Sequence, residues 1–189
     1  MVDFTIHDTN SAPEDGKPLL EKSQKAYGMI PNLHGVFAES PELLEAYQVV
    51  GDLFGRSSLS DVDRNVVWMS INVENNCHYC VPAHSMIAKQ QGVDDATIEA
   101  LRNAEPLADP KLEALRAFSL KVVRQRGDVN DSDVEAFLNA GFTKRNILDV
   151  ILGVAHKTMS NYTNHLAGTP VDEPFKTFDW TPTGKKAAA

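Results

Sequence analysis

Glu74-Asn75-Asn76-Cys77-His78-Tyr79-Cys80-Val81-Pro82-Ala83-His84 holds the only two cysteines of a 189-residue chain, with a histidine four positions beyond the second. On a helix, steps of three and four residues return to nearly the same face, so a helical stretch projects Cys77, Cys80 and His84 together. Glu74 stands one turn before Cys77 and shares that face, where a carboxylate relays protons. Tyr79, about 200° round from Cys77, points elsewhere on a regular helix. Asn75-Asn76 either interrupts the preceding helix or caps a new one carrying Cys77 to Gln91, with Gly92 as its stop.

The flanking sequence is helical in pattern on both sides. Ser40-Pro41 supplies an N-cap and a proline at the first helical position, and Leu43, Tyr47, Val50 and Phe54 follow at helical spacing. Ser60 with Asp63 forms a variant capping box, and Val62, Val66, Met69 and Val73 lead straight to the dithiol. Beyond it, the pattern predicts short helices over Asp95 to Asn103 and from Asn130 or Asp131 to Leu138. Asp109-Pro110 opens a longer one with Leu112, Leu115, Phe118 and Val122 on one stripe, ending at Gly127. Thr143 starts the last, in which Ile147, Val150, Ile151, Val154, Thr158 and Tyr162 keep helical spacing as far as Gly168. Strand-like alternation is absent, so the expected fold is an all-α bundle in one domain over 1–189. Residues 1–30 read as an irregular arm with one short helix near Leu19 to Tyr27, wrapping the surface or a neighbouring subunit. Residues 170–189 read as a tail, exposed from Gly184 to Ala189.

Composition narrows the function classes. A formal charge of -8 argues against nucleic-acid and anionic-membrane partners, which favour basic patches. No stretch approaches the ~20 apolar residues of a membrane span, and Met1 to Pro18 lacks the pattern of a secretory signal, so a cytoplasmic location is expected. In a reducing compartment a Cys-x-x-Cys pair binds metal or cycles in redox chemistry. A thiolate is the reactive form, and a helix N-terminus or a neighbouring base favours it. On this geometry Cys80, one turn from His84, is the better nucleophile, and Cys77 the resolving thiol.

The Cys77-His78-Tyr79-Cys80-Val81-Pro82-Ala83-His84 stretch resembles the motif of the carboxymuconolactone decarboxylase/AhpD-like alkylhydroperoxidase family. Ile30-Pro31-Asn32-Leu33, Ser40-Pro41-Glu42-Leu43-Leu44 and Ser160-Asn161-Tyr162-Thr163-Asn164-His165 extend the resemblance over most of Gly28 to Phe175. It implies an AhpD-like helical bundle, a homo-oligomer, and a peroxidase that reduces small organic hydroperoxides through a disulfide cycle without a bound cofactor. An external dithiol reductant then completes turnover. In that branch Cys80 forms the sulfenic acid, Cys77 is its partner and His84 assists proton transfer. One position departs from the pattern. Where relatives with proton-relay chemistry carry a glutamate, twelve residues before the first motif cysteine, this chain has Asn65. An amide cannot accept a proton as a carboxylate does, so Glu74 is the candidate substitute.

Other readings of the same residues stand beside this one. Two cysteines and a histidine hold zinc if Glu74, His78, His156 or His165 supplies a fourth ligand, which describes a metal-binding or redox-sensing helical protein with no catalysis. Cysteines also pack as small core residues. His156 and His165 lie about 180° apart on one helix and do not face one site together. Met69, Met86 and Met159 read as core, and Trp68 and Trp180 fit a subunit interface.

Overall fold

The structure, a computed structural model, describes residues 3–182. Among them are nine α-helices and no strand: α1 (Lys17–Tyr27), α2 (Asn32–Phe37), α3 (Pro41–Gly55), α4 (Asp61–Glu74), α5 (Cys80–Gln90), α6 (Asp95–Arg102), α7 (Pro110–Arg124), α8 (Asp131–Asn139) and α9 (Lys144–Ala167). Short 3-10 turns cover Glu14–Gly16 and Glu173–Phe178. The all-α expectation holds, and the helix starts follow the caps read from sequence. Ser60 accepts from the Asp63 N–H while the Asp63 carboxylate accepts from the Ser60 N–H, and Thr143 with Asn146 repeats the device on α9. These reciprocal bonds satisfy N–H groups that the first helical turn leaves without partners.

Helix α4 is central, packed against α5, α7 and α9. Its Val66, Val67, Met69 and Ile71 are fully buried and join Phe54, Leu101 and Leu115 in the larger of the two main cores. Phe118, Phe137 and Phe142 stack in series at 4.3 and 4.5 Å and bring α8 onto the same core. Helix α9 crosses close by because Gly153 carries no side chain: a Cβ there meets Val67 at 2.8 Å and Phe54 at 3.0 Å.

The second core is built by the N-terminal segment. Leu20, Leu33, Phe37 and Leu44 close over Cys77, Tyr79, Cys80 and Ala83. The arm thus lies on its own chain, and the His7 N–H donates to the Gly35 carbonyl at 3.1 Å. Helix α2 was not predicted, its six residues being too few to show a period.

The segment after α9 is no loose tail as far as it is described. Phe175 and Trp180 are buried, and the Trp180 indole donates to the Arg102 carbonyl at 2.9 Å. Trp180 is therefore core, not a surface residue awaiting a partner subunit. The stretch Gly184 to Ala189, read as an exposed tail, lies outside the described residues. Among the described residues no helix is long and apolar enough to cross a membrane.

Candidate active site

Helix α4 ends at Glu74, and Asn76 takes a left-handed conformation (φ 53°) that breaks the helix before the dithiol. Asparagine tolerates this region because its short amide bonds locally. The expected helix from Cys77 therefore begins only at Cys80, and Cys77 sits in the turn before it. Its Sγ accepts from the Cys80 backbone N–H at 3.4 Å, as a capping side chain does. The break also undoes the shared face predicted for Glu74.

Helix α9 holds this turn from behind with one polar face: Lys157, Ser160, Asn161 and Asn164, spaced three and four apart and all fully buried. Asn161 Nδ2 donates to Asn72 at 2.9 Å, and Asn75 Nδ2 donates to Asn161 Oδ1 at 2.9 Å, so the turn is pinned on both sides. Asn164 Nδ2 reaches both sulfurs, at 3.3 Å from Cys80 and 3.7 Å from Cys77. The C-terminal segment secures the other side. Tyr79 donates to Asp172, whose carboxylate also accepts from the Asn32 N–H at 3.0 Å, and His78 Nε2 lies 2.9 Å from the Thr169 carbonyl. Tyr79 is thus buried in the site region, contrary to the regular-helix expectation, because the turn at residues 75–79 redirects it.

A cavity of about 670 Å³ opens beside the dithiol. Cys80 and His84 line it together with Tyr47, Trp68, His156 and His34, whereas Cys77 does not. Lys157 lies behind the wall, with Nζ 2.8 Å from His84 Nε2 and above the rings of Tyr47 and Trp68 at 5.7 and 5.8 Å.

The electrostatics separate the two thiols. Burial raises the Cys80 pKa, but the Cys77 S–H bond, the Lys157 charge and the side chains of Ser160 and Asn161 outweigh it and bring the value down to about 6. The same bond to Cys80, then burial, pushes the Cys77 thiol far up. A thiolate at Cys80 stabilised by a proton kept on Cys77 is the state this describes. Burial, then the neighbouring Lys157 charge, holds His84 well below the ordinary imidazole range. His84 is therefore neutral. A lysine nitrogen only donates, so His84 Nε2 accepts and the imidazole proton sits on Nδ1, which has no partner among the described residues.

The structure does not bring Glu74 to the dithiol. Its carboxylate pairs with Arg124 at 2.7 Å and lines a separate small cleft with Ser70 and Arg116. Asn65 is fully buried and donates to the Asp61 carbonyl at 2.8 Å and to Gln91 at 2.6 Å. His156 lines the cavity while His165 is exposed, in keeping with their opposite helix faces. Trp68 also belongs to the cavity and not to an exposed interface patch. Among the described residues no three His, Cys, Asp or Glu side chains group as metal ligands do. Lys157 was not singled out from sequence, and Asn164 entered only within the Ser160 to His165 stretch, with no role. The signal that could have found the face is the three-and-four spacing of Lys157, Ser160, Asn161 and Asn164.

Residues 41–121 match the model of the Carboxymuconolactone decarboxylase family, a span from the start of α3 into α7 that includes both cysteines and His84. No curated protein sequence matches the chain. Solved structures resemble it over nearly its whole length. The alkylhydroperoxidase AhpD core from Ralstonia eutropha JMP134, an uncharacterized peroxidase-related protein, has a TM-score of 0.81 at 23% identity, covering 91% of this chain and 93% of that one. A peroxidase-related protein from Silicibacter sp. TM1040 gives 0.77 at 23% identity, with 92% of each chain covered. The debrominase Bmp8, in a complex with 2,3,4-tribromopyrrole, gives 0.76 at 12% identity, covering 94% and 95%. At these identities the likeness is one of fold. Residues 41–121 are thus similar to the Carboxymuconolactone decarboxylase family, and the all-helical fold is like that of the AhpD core.

Proposed function

We propose that the protein is a dithiol peroxidase of AhpD-like type, a thiol-disulfide oxidoreductase that reduces a small organic hydroperoxide. The observation that carries this reading is the asymmetry of the pair: Cys80 faces the cavity with its pKa lowered, while Cys77 stays protonated out of the cavity wall. The Cys80 thiolate attacks the terminal peroxide oxygen and the O–O bond breaks, leaving a sulfenic acid and an alkoxide. The alkoxide takes a proton from His84, which lines the cavity with Cys80, and Lys157 resupplies the imidazole at Nε2. Cys77 then attacks the Cys80 sulfenic sulfur, a disulfide forms, and the hydroxyl leaves as water. An external dithiol returns both cysteines to the reduced state by a two-electron exchange.

Glu74 has no part in this scheme, since it is spent on Arg124. The test is peroxide consumption under a regenerating dithiol. Turnover that disappears in Cys80→Ser supports the reading, whereas wild-type protein that neither consumes peroxide nor forms an intramolecular disulfide overturns it. The reading includes self-association, supported by the exposed apolar residues Leu148, Ile151, Tyr162 and Leu166 along α9.

A further inference from the structure

The cavity that Cys80 and His84 line also contains a histidine that the peroxidase scheme does not use. The Trp68 indole N–H, 3.2 Å from His156 Nδ1, only donates, so Nδ1 must accept. His156 is buried without a carboxylate partner, and burial, then Lys157 and His34, holds its pKa well below the ordinary range. A neutral imidazole whose Nδ1 accepts carries its proton on Nε2. Among the described residues no protein group accepts from Nε2. The ring is also fixed in place, stacked on Tyr47 with centroids 4.3 Å apart.

A glycine keeps side-chain atoms away from Nε2 where α3 approaches the ring. Gly51 lies within α3, and a Cβ built there stands 3.0 Å from His156 Nε2 and 3.4 Å from its Cε1. Glycine costs a helix interior about 1 kcal/mol relative to alanine. Nothing in the backbone of α3 calls for it, because its φ is not left-handed. The surrounding wall is aromatic and apolar, with Tyr47, Trp68, Met86 and Phe175. Of the lysines, arginines, aspartates and glutamates, only Lys22 and Asp52 line the cavity, and they pair with each other at 3.6 Å.

We propose that His156, locked by Trp68 as the Nε2–H tautomer and given room by Gly51, is the hydrogen-bond donor that holds an uncharged, aromatic-bodied ligand beside Cys80. A neutral ligand suits a wall in which Lys22 and Asp52 pair with each other and the remaining charge is the Cys80 thiolate, which repels an anion. The ligand's acceptor oxygen takes the Nε2 proton while its flat body packs on the rings. The inference rests on the dithiol reading only for what Cys80 then does to that ligand.

Binding is therefore measured without peroxide, using 2-phenyl-2-propanol, a neutral aromatic alcohol, on the reduced full-length protein by ligand-observed NMR. We expect wild type to bind it and to prefer it over the anion 4-isopropylbenzoate. Gly51→Ala and His156→Phe should each weaken binding about tenfold, the loss of one hydrogen bond. Gly51→Ala should melt within a few degrees of wild type, the gain in helix propensity offsetting the close contact with the His156 ring. Gly55→Ala, one turn on where a Cβ meets nothing within 4 Å, should bind as wild type. Unchanged affinity in both Gly51→Ala and His156→Phe overturns the proposal, as does equal binding of the carboxylate or no binding of the alcohol. The expected pattern in a protein that turns over no peroxide supports this inference and sinks the peroxidase reading alone.

Discussion

Lys157 Nζ lies 2.8 Å from His84 Nε2, with the lysine fully enclosed and the imidazole nearly so. A buried ammonium without a carboxylate is costly unless another charge compensates it. The compensating charge here is the Cys80 thiolate, and each stabilises the other: the lysine lowers the thiol, while the two cysteines oppose the fall in lysine pKa that burial causes. Lys157→Met removes one half of this pair. The Cys80 pKa should then climb from about 6 toward or above the ordinary thiol value, and alkylation by iodoacetamide at neutral pH should slow at least about tenfold. Ultraviolet thiolate absorbance across a pH titration checks it, and a midpoint that stays put would remove Lys157 from the mechanism. Lys157→Arg keeps the charge and should retain part of the shift.

The pH dependence of the wild type has a defined sign. A thiol lowered to about 6 is mostly ionised at neutral pH, so its reactivity should be flat above neutrality and fall as pH drops through about 6. In Cys77→Ser the thiol that donates to Cys80 becomes a hydroxyl, a donor of similar reach, so a lowered value should persist in part. In Cys77→Ala the donor is gone and the midpoint should rise. Both variants lack a resolving thiol, and peroxide should leave a sulfenic acid on Cys80 that a dimedone-type probe captures, read by intact mass. Capture on Cys77 of a Cys80→Ser protein instead would reverse the assigned roles.

Much of the fold was legible because its helices announce their ends. Ser60-Asp63, Asp109-Pro110 and Thr143 are local signals, and local hydrogen bonds realise them. The dithiol itself was equally plain. The reading failed where a backbone break intervenes: a continuous helix aligns Glu74 with the cysteines, but the left-handed Asn76 swings the chain and leaves Glu74 to Arg124. Lys157 escaped notice for a different reason. A lysine in a long helix is ordinarily solvated, and its burial depends on Tyr47 and Trp68, which come from helices distant in sequence.

Glu74→Gln should accordingly leave thiol reactivity and its pH profile untouched. The Arg124 partner is mostly exposed, and ion pairs of that kind contribute about 0 to 1 kcal/mol. A small drop in melting temperature with an unchanged alkylation profile is the expected outcome. A shifted profile would restore Glu74 as a relay group.

Tyr79→Phe tests what holds the turn from the C-terminal side. Tyr79 is buried, and its hydroxyl donates to a carboxylate that is itself nearly enclosed. Removing that donor leaves Asp172 with the Asn32 N–H as its remaining partner, at a cost of about 1–3 kcal/mol. Thermal stability should fall by that order, and hydrogen exchange should quicken in the Glu173–Phe178 turn before it does in α4. Equal protection in mutant and wild type would show that the apolar contacts of Phe175 alone dock the segment.

The exposed residues of α9 supply the last test. Leu148, Ile151, Tyr162 and Leu166 are 66%, 48%, 58% and 72% exposed, and Val49 and Leu53 on the adjacent α3 are 46% and 42% exposed. Large apolar side chains gathered along neighbouring helices are a costly solvent face and an economical subunit contact. A double substitution, Leu148→Lys with Leu166→Lys, removes two of the most exposed of them without touching either core. Light scattering should give a multiple of the 20.8 kDa chain mass for wild type and a lower mass for the variant. Folding of the variant is read from an unchanged helical circular-dichroism signal. A wild type that stays at the single-chain mass at high concentration would remove self-association from the proposed function and leave the dithiol chemistry as it stands.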